Sequence, residues 1–149
     1  MEMMVVLVII GLMTSVVVLV LPSSASEKVA RLSELKNALT AVSRDSVISG
    51  QVRGVRFAPD GYSVLSVKDG KWEALSRQVS GIWQTGELIA VSVEGTDIDL
   101  TQEADDILRP HIWFLPTGER ADFTINFNMN GILVSVASAA QGIEVQHED

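Results

Sequence analysis

The 149-residue sequence contains no cysteine, which excludes disulfide bonds, thiolate metal sites and a cysteine nucleophile. A fold without disulfides has to be held together by its hydrophobic core. Histidine is also scarce, since only His111 and His147 occur, and neither has a second histidine or a carboxylate at the spacing of a metal site. We therefore expect His111 in a strand, His147 in a solvated tail, and no metal or other cofactor.

Positive charge is the second scarcity. The chain carries 11 Lys and Arg against 19 Asp and Glu, for a formal net charge of −8. Because phosphate recognition depends on clustered Lys and Arg, no nucleic-acid partner is expected. The sequence also lacks the Gly-x-Ser-x-Gly and Ser-x-x-Lys patterns of activated serines and a glycine-rich phosphate loop. We expect no enzymatic activity and no small-molecule substrate.

Charge is absent altogether from Met3 to Leu21, the 19 residues that follow Glu2. A helix of that length spans about 28 Å, close to the hydrocarbon thickness of a bilayer. A cleaved secretory signal is the alternative, but its apolar region is shorter and follows basic residues. The pattern favours a retained transmembrane helix over residues 1–21. The residues that represent this helix are Met3, Val5, Leu7, Ile10, Gly11, Val17 and Leu21.

A different helical pattern occupies residues 22–50. Apolar residues recur there at three- and four-residue steps with charged residues between them, which predicts an amphipathic helix. Pro22 either kinks one long helix or starts a new one. We expect the helix to end between Arg44 and Ser49, with Gly50 closing it. The apolar positions are Val29, Leu32, Leu35, Leu39 and Val42.

The apolar period changes to two in residues 51–149, which predicts strands. Tight turns are expected at Pro59-Asp60-Gly61 and at Lys68-Asp69-Gly70, with glycine taking the positive φ in each. A helix followed by seven or eight strands is an α+β order, with an antiparallel β-sheet or β-sandwich domain. The predicted strands begin at Val52, Tyr62, Trp72, Glu87, His111, Phe123, Ile132 and Ile143.

Between Gln78 and Leu108 there are seven acids and no base, and residues 95–106 have weak periodicity. We expect a long, mobile, acidic loop. Calcium binding through residues 97–106 is an alternative, but no EF-hand spacing is present, so a solvated loop is favoured. The three tryptophans, Trp72, Trp83 and Trp113, are expected in the core rather than on a ligand platform.

The segment Glu2-Met3-Met4-Val5-Val6-Leu7-Val8-Ile9-Ile10-Gly11 closely resembles the start of mature type IV pilins and type II secretion pseudopilins. Two further stretches resemble the minor pseudopilin H family of the type II secretion system. The first is Gly54-Val55-Arg56-Phe57 with Asp60-Gly61-Tyr62 and Trp72, and the second is Arg109-Pro110-His111-Ile112-Trp113-Phe114-Leu115-Pro116-Thr117-Gly118-Glu119 followed by Phe123.

The resemblance implies a non-enzymatic filament subunit. Its helix would anchor it in the bacterial inner membrane by a single pass and later pack in the pseudopilus, with the β domain in the periplasm. It implies other pseudopilins, a prepilin peptidase and inner-membrane lipid as partners, and N-terminal methylation. The conserved glutamate of the family corresponds to Glu2, whose implied role is to pair with the α-amino group of a neighbouring subunit. Two opposite charges are tolerated in a low-dielectric bundle only when they are aligned.

One feature departs from the family. Family members have a basic leader, a glycine before the cleavage site and a phenylalanine after it, whereas a single methionine precedes Glu2 here. We expect that the true start lies upstream or that the sequence is trimmed; a leaderless pseudopilin is the least favoured reading.

The alternative identity is a minor pilin of a type IV pilus, including the FimT kind that contacts DNA. A DNA-contacting surface needs exposed cations, which the strand region offers sparsely at Arg53, Arg56, Lys68, Lys71 and Arg77.

Overall fold

The computed structural model describes residues 24–75, 83, 86–101, 108–129 and 131–147. Within these ranges, one helix is followed by nine strands, and every strand pairing is antiparallel. The predicted order of a helix followed by antiparallel sheets is confirmed. The elements are α1 (Ser24–Ser49), β1 (Arg53–Ala58), β2 (Gly61–Lys68), β3 (Lys71–Ala74), β4 (Leu88–Val93), β5 (Thr96–Ile98), β6 (Ile112–Phe114), β7 (Phe123–Met129), β8 (Ile132–Ala139) and β9 (Gly142–His147).

Helix α1 buries one stripe with the predicted spacing. Leu32, Leu35 and Leu39 are fully buried, and Val42 is packed against the same core. Val29 does not continue the stripe, because it is 45% exposed; the preceding residue, Lys28, faces the domain instead and pairs with Glu87 at 3.2 Å. The prediction that Val29 belongs to the buried face is therefore wrong. The predicted C-terminus is confirmed, since Gly50 follows the helix with φ of 68°.

The first sheet has the strand order β3-β2-β1-β6. Its β2–β3 turn is as predicted, with Asp69 and Gly70 both at positive φ (51° and 75°), the geometry of a type I′ hairpin. The β1–β2 turn differs from the prediction. Gly61 is already the first residue of β2 and pairs with Ala58, so no positive φ is needed there.

The second sheet has the order β5-β4-β7-β8-β9. Strand β5 lies inside the segment predicted as a loop, because Glu94 and Gly95 take positive φ (51° and 77°) and turn the chain back on β4. That part of the loop prediction is wrong. Residues 102–107 of the acidic segment lie outside the described residues. Arg120 contacts the β8–β9 turn, since its Nη2 donates to the carbonyl oxygens of Ala139, the last residue of β8, and Gly142, the first residue of β9.

One core unites the three layers. It contains the leucines of α1 together with Val55, Ile112 and Phe114 of the first sheet and the inward-facing residues of the second. The helix contacts β1, β6 and β9, so it lies across both sheets. Burial of the apolar groups is what fixes its orientation, at roughly 1.5–3 kcal/mol for each large side chain.

Within the described residues, no helix combines the length and the apolar character needed to cross a membrane. The predicted transmembrane helix, Met3 to Leu21, lies outside them and stays a prediction.

Candidate interaction surface

The predicted assembly residue Glu2 and the named apolar residues of the N-terminal helix lie outside the described part of the chain. The structure instead describes how α1 is joined to the β domain, and which surfaces that domain presents. The predicted boundaries after residues 21 and 50, which divide the chain into two helical parts and a β domain, stay predictions.

The C-terminal end of α1 is fixed by a buried arginine. Arg53, at the start of β1, is 7% exposed, and its Nε donates to Asp45 Oδ2 at 2.6 Å. Its other donors reach Gln51 Oε1 at 2.9 Å and Ser49 Oγ at 3.4 Å. The last turn of the helix contains no base, so Arg53 supplies from the sheet the positive charge that a helix C-terminus favours.

A buried hydroxyl makes a second link at the same end. Ser46 is fully buried, and its Oγ lies 2.8 Å from the carbonyl oxygen of Gln51 and 2.9 Å from that of Phe114 in β6. The hydroxyl proton is shared between these two acceptors. Helix, connecting loop and sheet therefore meet at a single buried group, which favours movement of the helix and domain as one body.

The face of the first sheet that points away from α1 carries an apolar groove. Gly54 of β1 pairs with Trp113 of β6 and with Leu65 of β2, so these three side-chain positions share one face. Pro110 lies directly on Gly54: a Cβ there would be 2.4 Å from Pro110 Cβ and 3.0 Å from Trp72 Cζ3. Only glycine permits this approach.

We name this surface the tryptophan groove. It has a volume of about 520 Å³. Both tryptophans in it are half-buried, whereas Arg109 is exposed. Arg56 adds a second cation beside it, since Nη1 donates to the carbonyl oxygen of Arg109 at 2.9 Å. The groove is lined by Val52, Trp72, Arg109, Pro110, Trp113 and Leu115.

The tryptophan prediction is thus only partly confirmed. Trp83 is 5% exposed and packs with Phe57, Tyr62 and Phe127, its Nε1 donating to the carbonyl oxygen of Pro59 at 3.0 Å. Trp72 and Trp113 line the surface groove instead. The sequence does hold a signal for it, because a glycine inside a strand often marks the close approach of another segment.

His111 precedes β6 rather than lying within a strand as predicted. Its backbone N–H donates to the carbonyl oxygen of Val55, and its Nδ1 accepts the N–H of Phe57 at 3.0 Å. Its ring is stacked on that of Phe57, with an interplanar angle of 8°. Burial, with a smaller contribution from the positive charge of Arg56, lowers the pKa of His111 to about 4. The imidazole is therefore neutral at pH 7, as an acceptor of a hydrogen bond must be.

The calcium alternative finds no site in the described part of the chain, where no group of three or more His, Asp or Glu residues is placed to hold a metal. Asp99 Oδ1 is already used locally, since it accepts the N–H of Thr101 at 2.9 Å and its hydroxyl at 2.6 Å. These hydrogen bonds, led by the one from the hydroxyl, lower the pKa of Asp99.

The cations considered for DNA contact do not form one patch. Arg53 is turned inward to the helix end, and Lys68 and Lys71 lie opposite each other at the β2–β3 hairpin. Arg77 lies outside the described residues. Arg109, which was not among the cations considered for DNA contact, lines the tryptophan groove.

No protein-family model and no curated protein sequence matches this chain. The chain is similar to two solved structures of the minor pseudopilin EpsH from the type 2 secretion system of Vibrio cholerae. Both are 19% identical to it. One similarity covers 81% of this chain and 94% of EpsH with a TM-score of 0.54, and the other covers 85% and 95% with a TM-score of 0.61. The predicted resemblance is confirmed at the level of the backbone, and the chain has the fold of the minor pseudopilin EpsH.

Proposed function

We propose that this protein is a structural minor pseudopilin of a type II secretion system, a non-enzymatic subunit of the periplasmic filament that helps to export folded proteins. The observation that carries the proposal is the similarity in fold to EpsH, which covers 95% of that chain at a TM-score of 0.61. The pilin-like sequence from Glu2 to Gly11 supports it independently.

The proposed anchor is the uncharged segment from Met3 to Leu21, which crosses the inner membrane once and leaves the domain in the periplasm. After assembly the same segment packs against the helices of other pseudopilins. A prepilin peptidase processes the precursor. These partners and this location are proposed from the sequence of the segment, whose length and lack of charge suit a bilayer.

Glu2 has the role of setting the register between subunits. A carboxylate at the end of an apolar helix is costly to bury unless a cation meets it. An α-amino group of a neighbouring subunit satisfies this carboxylate in one alignment only, so the burial penalty becomes a source of specificity.

The described domain transmits the position of the helix. Arg53 and Ser46 hold its C-terminal end, and the leucine stripe holds its middle. A displacement of the helix during filament growth is therefore passed to the whole domain.

The proposal is tested by replacing Glu2 with Gln in a strain whose only copy of this protein is the variant. We expect the variant to reach the membrane fraction at the normal level, because Gln adds no charge to the anchor. Incorporation into the filament and secretion should both fall at least severalfold, since the pairing with the α-amino group is lost.

The matched control is Glu27→Gln, which removes one carboxylate from the exposed first turn of α1. It should secrete normally. Normal secretion by the Glu2→Gln strain, or equal loss in the Glu27→Gln strain, would contradict the proposed role of Glu2. Normal secretion in a strain that lacks the protein entirely would contradict the proposed function itself.

A further inference from the structure

We propose that the tryptophan groove binds a short, extended, acidic segment of a partner protein, with an apolar side chain of that segment between Trp72 and Trp113 and a carboxylate on Arg109. The groove lies on the face of β1 opposite to the one that meets α1. It rests on the proposed function only for the identity of the protein that carries the segment.

The shape of the groove is set in advance. Pro110 is held on the backbone of Gly54, and Trp72 reaches the same position from β3. Trp113 is held by its pairing opposite Gly54. Strands on both sides thus fix the walls, so little side-chain freedom is lost on binding. A volume of about 520 Å³ lies within the range of sites that enclose small ligands.

The lining determines the apolar half of the ligand. Five of its six residues are apolar, and two of these are half-buried tryptophans. Tryptophan is enriched among the residues that dominate binding energy because it offers a large rigid surface. An aliphatic side chain fits this lining, and a fully polar segment does not.

The charge determines the other half. Arg109 forms no ion pair with any residue that the structure describes, and no carboxylate is among the described residues that line the groove. Arg56 adds positive charge next to it. An arginine fork matches a carboxylate in geometry. The net charge of −8 repels acidic partners elsewhere on the molecule, so this groove is where an acidic segment is favoured.

A single-stranded nucleic acid would also use aromatic and arginine groups. It fits less well, because its affinity comes mostly from many phosphate contacts and the groove offers two arginines in a strongly acidic protein. A peptide needs only one carboxylate at Arg109.

The test titrates the full chain in neutral detergent micelles with the blocked peptide GDLELDG, following tryptophan fluorescence. The uncharged peptide GNLQLNG serves as the comparison. We expect the acidic peptide to bind severalfold more tightly and to lose this advantage at high salt. The variant Arg109→Gln should weaken its binding roughly two- to fivefold, as for one exposed ion pair, and leave GNLQLNG unchanged.

The matched control is Arg44→Gln, which lowers the net charge equally but lies on the exposed side of α1. Unchanged binding in this variant supports a local contact. Trp72→Phe, which keeps an aromatic wall, should weaken both peptides. Absence of binding at millimolar peptide, equal binding of the two peptides, or equal effects of the two arginine variants would each overturn the inference. Tighter binding of oligothymidylate than of GDLELDG would replace it with a nucleic-acid site.

The binding assay needs no filament. If neither peptide binds but the Glu2→Gln strain shows the expected loss of secretion, the groove contact is wrong and the proposed function stands.

Discussion

Replacing Gly54 with alanine tests the close contact on which the tryptophan groove is built. The added Cβ would lie 2.4 Å from Pro110 Cβ, 2.9 Å from Pro110 Cγ and 3.0 Å from Trp72 Cζ3. Carbon atoms in good contact are about 3.5–4.0 Å apart, so Pro110 has to move by about 1 Å. Neither its ring nor the strand beneath it yields easily, because Val55 and Ile112 are held in the core on the other face.

The expected loss follows from two opposing effects. Overpacking of this kind costs about 1–3 kcal/mol, whereas replacing glycine by alanine at an ordinary φ gains about 0.4–1 kcal/mol through the unfolded state. The backbone at Gly54 is not in the positive-φ region, so the gain applies. We expect a net loss of about 1–2 kcal/mol in the free energy of unfolding.

Urea unfolding of the full chain in detergent micelles, followed by tryptophan fluorescence, measures this loss as a shift of the midpoint. A double-mutant cycle with Pro110→Gly assigns it, because that change removes both Pro110 atoms that the new Cβ meets. The double variant should recover at least 1 kcal/mol relative to the sum of the single variants. Additive effects, or a Gly54→Ala protein as stable as the original, would refute the close approach of Pro110.

Two further predictions concern the histidine and the helix end. The folded-state pKa of His111, about 4, lies below the value of 6.5 expected when unfolded; the unfolded chain therefore binds more protons between these limits, and stability should fall as the pH is lowered from about 6.5 to about 4. Because the ring is only half-buried, we expect this loss in the free energy of unfolding to be about 1 kcal/mol. The variant His111→Asn keeps a hydrogen-bond acceptor but does not titrate in this range, so it should lack that part of the pH dependence. Arg53→Gln should cost about 1–3 kcal/mol in urea unfolding through its lost charged hydrogen bonds, whereas Arg56→Gln, which loses one exposed bond, should cost under about 1 kcal/mol; equal costs would contradict the anchoring role.

Local signals in the sequence were sufficient for most of the elements. Gly50 ends the helix as expected, and Asp69-Gly70 forms the expected hairpin, because in both places a residue of the right type meets a fixed backbone requirement. Strand β5 was missed because its turn places Glu94 at positive φ, where a glutamate gives no sequence signal. Val29 was misplaced because the apolar spacing alone does not reveal that Lys28 meets Glu87.

The candidate site depended on contacts between distant parts of the chain. Gly54 and Pro110 are far apart in sequence, and only the pairing of β1 with β6 brings them together. A glycine inside a strand pattern can mark a close approach, but the pattern does not show which segment approaches Gly54. The burial of Arg53 is similar, since its partner Asp45 lies on the preceding helix and an arginine in a strand is ordinarily exposed.

The adjacent residues Arg53 and Gly54 link the contact with α1 to the proposed contact in the tryptophan groove. Successive side chains of a strand point to opposite faces; accordingly Arg53 faces the helix end, while Gly54 lies beneath the groove. A segment bound on Trp72 and Trp113 therefore does not overlap the surface on which α1 packs. Because the two contacts use opposite faces of one strand, the domain can hold its helix in the proposed filament and a partner in the groove at the same time.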